Sequence, residues 1–136
     1  MREILFKGKT TKGEWVEGLP TRKHPLDKEI NRIQLLDDYY ENDITMFFCV
    51  KDIIPETVGQ YTGLPDINNR KIFEGDIVKS YNAAGKMDGI GVVHWSDLFA
   101  SWHIAENRSM YSGRIASYEV IGNVHDNPEL LEVNNG

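Results

Sequence analysis

His94 and His103 are the residues whose type and spacing come nearest to a reaction centre. They stand in two short apolar runs, Val92-Val93-His94-Trp95 and Trp102-His103-Ile104, with Ser96 to Ser101 between them. If Ser96 pairs with Ser101 across a hairpin, His94 faces His103 and Trp95 faces Trp102. Two imidazoles so placed could bind a metal ion, with His125 or Asp126 as a third ligand. Catalytic zinc commonly uses three such nitrogen or oxygen donors plus water. That chemistry would make the chain a metal-dependent enzyme using His94 and His103, but no HExxH or paired CxxC accompanies them. Strand alternation puts Val93, Trp95, Trp102 and Ile104 on one face, expected to be core. Both histidines fall on the other, expected to face solvent.

Carboxylates form two further groups: Asp37, Asp38, Glu41 and Asp43, and Glu74 with Asp76 on either side of Gly75. General acid–base work needs two carboxylates held in different environments within a pocket. An acidic loop accounts for the first group and turn chemistry for the second. Cys49, the one cysteine, lies in the apolar run Ile44 to Val50 and reads as a buried small hydrophobe. No phosphate loop, nucleophile elbow or dinucleotide fingerprint occurs. The expectation is therefore a non-enzymatic protein with no catalytic residue, no metal and no cofactor assigned.

Single-stranded nucleic-acid binding is the alternative, because small β-barrels can combine aromatic platforms with basic grooves. Tyr81, Trp95, Phe99, Trp102 and Tyr111 supply rings, and Tyr81 and Phe99 join His94 and His103 as candidate binding residues. Against it stands a net charge of −6. The charge is unevenly spread. Residues 1–28 hold seven Lys/Arg against four acids, residues 29–76 hold four against ten, and residues 77–136 hold four against seven. A basic N-terminal lobe could meet an acidic patch on another copy head to tail. The partners expected are a second copy or another protein.

The elements that must carry these residues read as many short strands. Apolar runs separated by Gly, Asn, Asp and Pro dominate the chain. At 136 residues, with 40% hydrophobic composition, it can bury a core without a disulfide or metal. Ile4 to Phe6 and Trp15-Val16 flank Gly8 to Gly13 as an opening hairpin. Residues 20–29 read as loop, and Ile30 to Leu36 as strand or helical turn. Pro55 to Gly63 reads as the join between lobes. Asp66 to Asn69 and Glu74 to Asp76 read as turns, the second delivering a strand from Ile77 to Tyr81. Asn82 to Gly89 reads as a loop. Tyr118 to Val124 reads as a last strand, bent at Gly122. Asn127-Pro128-Glu129 has the chemistry to start a short terminal helix, with Asn127 as its cap. The N-terminus lacks a signal-peptide stretch, and no apolar run nears the roughly 20 residues that span a bilayer. The expectation is a cytoplasmic protein without membrane contact.

Three blocks carry a family resemblance. The first is Arg2 to Lys9 with Gly13-Glu14-Trp15-Val16-Glu17-Gly18. The second is Glu56-Thr57-Val58-Gly59-Gln60-Tyr61-Thr62-Gly63-Leu64, continuing through Ile72-Phe73-Glu74-Gly75-Asp76-Ile77-Val78. The third is Tyr118-Glu119-Val120-Ile121-Gly122-Asn123, ending Asn127 to Leu131. Together they resemble the YopX-like proteins of bacteriophages and prophages. The resemblance implies a mainly β architecture and a gene expressed in a bacterial cytoplasm. It implies no reaction, since that family is one of unknown function with no catalytic residues to carry over. Asn69 stands where the resemblance would place Gly, and His125-Asp126 where an aromatic and an acid would be. The fold expected is mainly β: an N-terminal lobe of short strands over residues 1–60, then a lobe over 61–136. The second lobe would hold a small β-barrel, SH3-like being one form for it, and a short C-terminal helix.

Overall fold

The computed structural model describes residues 3–35, 50–105, 108–110 and 115–134. Cys49 and the group Asp37 to Asp43 lie outside the described residues, as do Tyr111 and Arg114. The chain is mainly β and antiparallel, and it divides into two compact units, Met1–Tyr61 and Thr62–Gly136. Among the described residues no helix is long and apolar enough to cross a membrane.

The first unit begins with β1 (Phe6–Lys9) and β2 (Trp15–Thr21), the expected opening hairpin, with Lys9 opposite Trp15. Its turn is closed by Thr10, whose Oγ1 accepts the Glu14 N–H at 3.2 Å, and by Gly13 at φ +89°. Within the stretch read as strand or helical turn, Arg32–Leu35 forms strand β3, and Ile33 is fully buried. The expected loop at 20–29 starts later than the sequence reading had it. Pro20 and Thr21 belong to β2 and pair with Ile33 and Arg32. Gly18 permits this pairing, because a Cβ there would run into the Gln34 carbonyl. Strand β4 (Val50–Asp52) follows, with Arg32 and Asp52 bridged at 2.8 Å across the β3–β4 pair. After a single 3-10 turn at Pro55–Thr57 comes β5 (Gly59–Pro65), which pairs with β1 through Gly59 and Gln60. The region read as punctuation from Pro55 to Gly63 is thus a turn followed by a strand. Thr57 makes the turn possible, its hydroxyl donating to the Ile54 carbonyl and accepting the Lys9 N–H.

In the second unit the end of β5 leads through a tight loop to β6 (Lys71–Phe73). Asp66 builds that loop. Its Oδ1 accepts the Asn68 and Arg70 N–H groups at 2.8 Å each, and Asn69 sits at φ +63°, a conformation asparagine tolerates. Glu74 and Gly75, the latter at φ +91°, turn β6 into β7 (Asp76–Asn82). The buried Asp76 carboxylate accepts the Phe73 N–H there at 2.8 Å, so this acid is turn chemistry as expected. Asn82 then fastens the next turn by accepting the Ala84 and Lys86 N–H groups, and β8 starts at Met87 (Met87–Val92), earlier than the sequence reading placed it.

The remaining strands are β9 (His94–Ser96), β10 (Ser101–Ala105), β11 (Arg108–Ser109) and β12 (Ile115–Asn123). Where the sequence led to the expectation of a small, SH3-like barrel, the described residues form two three-stranded sheets, β12-β7-β8 and β11-β10-β9. Strand β10 crosses β8 so closely that a Cβ on Gly91 would collide with the Ile104 carbonyl. The core of the unit is Ile72, Val78, Val93, Trp102, Ile104, Met110 and Tyr118, with Leu64 and Val120 packed against it. Strand β12 slips register at Gly122, the expected bend, where any Cβ would press on the Asn127 side chain. Helix α1 (Glu129–Asn134) closes the unit and packs on β8. The Asn127 carboxamide accepts from the Asn123 N–H at 3.3 Å, so that side chain is spent on the preceding strand as well as standing at the helix start.

Candidate functional site

The β9–β10 hairpin has the register its sequence predicts: Ser96 opposite Ser101, Trp95 opposite Trp102 and His94 opposite His103. Burial departs from the expectation on both faces. Trp102 is 2% exposed, but Trp95 is 41% exposed and touches Trp102 edge-on at a centroid distance of 5.2 Å. Strand β9 is three residues long. Its tryptophan shields the rim of the core instead of joining it.

On the other face His103 is buried, not solvated. The cause is the turn. Ser96 Oγ accepts the Phe99 N–H at 3.2 Å, Ala100 takes φ +49°, and the Phe99 ring folds back to stack on His103 at 5.4 Å and 13°. His103 Nε2 shares a hydrogen with Ser101 Oγ at 3.0 Å. His94 Nδ1 lies 3.0 Å from the Val92 carbonyl, which can only accept, so this nitrogen is the donor.

The structure brings His94, His103 and Phe99 together, with the two imidazole centroids 6.1 Å apart. Among the described residues no group of three His, Cys, Asp or Glu side chains is arranged to hold a metal ion. His125 and Asp126 instead form the turn after β12, both N–H groups donating to Asn123 Oδ1 at 3.0 Å. Tyr81 is not part of the hairpin site either. It lies on β7 and donates to Glu119 Oε1 on β12 at 2.9 Å, and that hydrogen bond pushes its phenol pKa up.

Aromatic platforms for single strands need an open ring face. Trp102 is core and Phe99 stacks on His103. A ring the sequence reading passed over, Trp15, has Lys7 Nζ at 4.7 Å and Lys9 Nζ at 5.9 Å from its centroid. The alternation of β1 signals this, since Lys7 and Lys9 share one face of a strand opposite Trp15.

Phe99 is already a candidate binding residue from the sequence; what the sequence reading missed is Leu98 next to it at the end of the hairpin. Leu98 is 85% exposed and Phe99 58%, on the same hairpin as Trp95. The available signal was two large apolar residues inside a polar turn, Ser96-Asp97-Leu98-Phe99-Ala100-Ser101. Also missed was a surface depression of about 490 Å³ in the first unit, lined by Pro20, Thr21, Arg22, Pro25 and Ile30. A smaller cavity of about 300 Å³ in the second unit lies over Leu64, Ile67, Met110 and Tyr118. Its acid, Asp66, has both oxygens committed to backbone N–H groups, including Val120 at 3.0 Å.

These features define a small antiparallel β protein whose polar side chains mostly hold turns; among the described residues its exposed large apolar groups include Trp95, Leu98 and Phe99 on one hairpin, the others, Ile4, Leu19, Leu26, Ile67 and Met87, being spread along the chain. A family model described as YopX protein matches residues 9–132, and the chain belongs to that family. It is similar in fold to the crystal structure of protein EF1440 from Enterococcus faecalis, with 23% identity over 96% of this chain and 99% of that one, and a TM-score of 0.55. A search of curated proteins found no match.

Proposed function

We propose that this chain is a non-enzymatic binding protein that works through contact with further copies of itself, the contact element being the end of the β9–β10 hairpin. One observation carries the reading: Trp95, Leu98 and Phe99, at 41%, 85% and 58% exposure, cluster on an element whose other tryptophan is locked in the core. Scattered apolar residues on a surface are ordinary, whereas a grouped set on a fixed element marks an interaction site. Trp95 and Phe99 lie against opposite faces of the hairpin, so the end is an apolar finger more than a flat patch. A phage or prophage gene acting in a bacterial cytoplasm belongs to the same reading, supported by family membership.

Sedimentation velocity from micromolar to near-millimolar concentration tests it. The wild-type mass is expected to rise above that of one chain, while the Leu98→Asp/Phe99→Asp variant stays monomeric with an unchanged far-UV spectrum. A wild-type protein that remains monomeric throughout would overturn the proposal.

A further inference from the structure

Resting on that reading of self-association, we infer that the hairpin finger of one copy docks in the depression beside β2 of a second copy, with Asp97 facing Arg22. The depression suits a finger. Its walls are mainly apolar, from Pro20, Pro25 and Ile30, around a volume of about 490 Å³.

It is also held in shape before anything binds. Pro20 and Thr21 are fixed by pairing with β3. The loop beyond them is pinned by Asp27, whose Oδ2 accepts the His24 N–H at 2.9 Å and Asn31 Nδ2 at 3.0 Å. Asn31 Oδ1 in turn accepts the Lys23 N–H at 2.7 Å. A preformed receptor loses little conformational freedom on binding, which removes one of the costs of association.

Charge selects the partner. Among the described residues Arg22 is the one charged residue lining the depression, Lys23 and Lys28 near it in sequence are matched in number by Asp27 and Glu29, and residues 1–28 as a whole carry seven cations against four acids. The finger comes from the opposite kind of segment. From Met87 to Asn107 there is no Lys or Arg, and Asp97 immediately precedes Leu98 at the exposed turn. Complementary charge orients the encounter, and the buried apolar anchor supplies the affinity. Because finger and depression are different surfaces, each copy offers one of each, so the contact is heterologous and propagates into rings or chains of copies.

This geometry makes a prediction that a two-fold contact does not share. Arg22→Asp and Leu98→Asp, both at exposed positions, are each expected to weaken self-association of the full chain roughly tenfold or more in sedimentation velocity. Mixing the two variants is expected to restore a complex of two copies and no larger, because one retains the finger and the other the depression. Combining Arg22→Asp with Asp97→Arg in one chain is expected to recover assembly. Urea midpoints equal to wild type check that each variant is folded, with Arg22→Gln and Leu98→Ser as milder replacements if one is not. Wild-type assembly that Arg22→Asp leaves intact, or variants that fail to complement, would overturn the docking while self-association stands. A monomeric wild type would overturn both.

Discussion

Trp102→Ala is expected to destabilise the second unit by about 3–5 kcal/mol, the ordinary cost of emptying a fully buried aromatic site. Trp102 is 2% exposed and packs among Ile72, Val78, Val93, Ile104, Met110 and Tyr118. Trp102→Phe is expected to behave very differently. The indole Nε1 is buried and finds no acceptor among the described residues. A buried N–H left unmatched costs about 1–3 kcal/mol. Phenylalanine removes that penalty while leaving a smaller cavity than alanine does, so the two effects oppose and the net change is expected to be about 1 kcal/mol or less. Urea unfolding of the three proteins separates the cases. A Phe variant as damaged as the Ala variant would mean that ring volume dominates or that the N–H is satisfied.

Asp66→Ala is the second large effect, expected at about 2–4 kcal/mol. This carboxylate holds the 66–70 loop through Asn68 and Arg70 and ties it to β12 by accepting the Val120 N–H at 3.0 Å, while the Ile67 N–H donates to the Tyr118 carbonyl at 2.8 Å. Those two bonds also cover part of the outer edge of β12, which lies at the end of its sheet and would otherwise offer backbone groups to another strand. Burial raises the carboxyl pKa, but the bonds from Val120, Arg70 and Asn68 and the charge of Arg70 outweigh it, so the value lies below the ordinary 3.8. A depressed folded-state value means that the unfolded chain takes up the proton first as pH falls. The stabilisation is therefore complete above the ordinary carboxylate range and is lost as pH drops through the folded-state value. Asp66→Asn is expected to be less stable than wild type at neutral pH, with the difference shrinking below about pH 4. A gap that stays constant down to pH 2 would remove the carboxylate charge from the account.

Much of this fold could be read from residue order. The hairpin register from Ser96 and Ser101 follows from two matched apolar runs, and the turns at Asp66 and Glu74 follow from residues that accept backbone N–H groups or positive φ. What alternation cannot state is how far a core extends. It put Trp95 and Trp102 on one face, yet only one of them is covered. It also put His103 outward, and the ring that buries His103 comes from the turn, outside the strand pattern altogether. The depression beside β2 was equally invisible. It depends on Asp27 and Asn31 fixing a loop whose composition alone says only that it is polar and contains proline. Arg32–Leu35 became a strand because β2, relieved of a side chain at Gly18, accepts a close neighbour there.

The central claim is that the hairpin finger is the surface covered when copies meet, and Trp95 reports on it directly. A chain with Trp15→Phe and Trp102→Phe keeps Trp95 as its sole tryptophan, since the sequence has three. Acrylamide quenching of its fluorescence should be strong in dilute solution and should weaken as concentration rises through the range in which the sedimenting mass increases. Quenching that stays constant across that range would mean that the finger remains bare and that copies meet elsewhere or not at all.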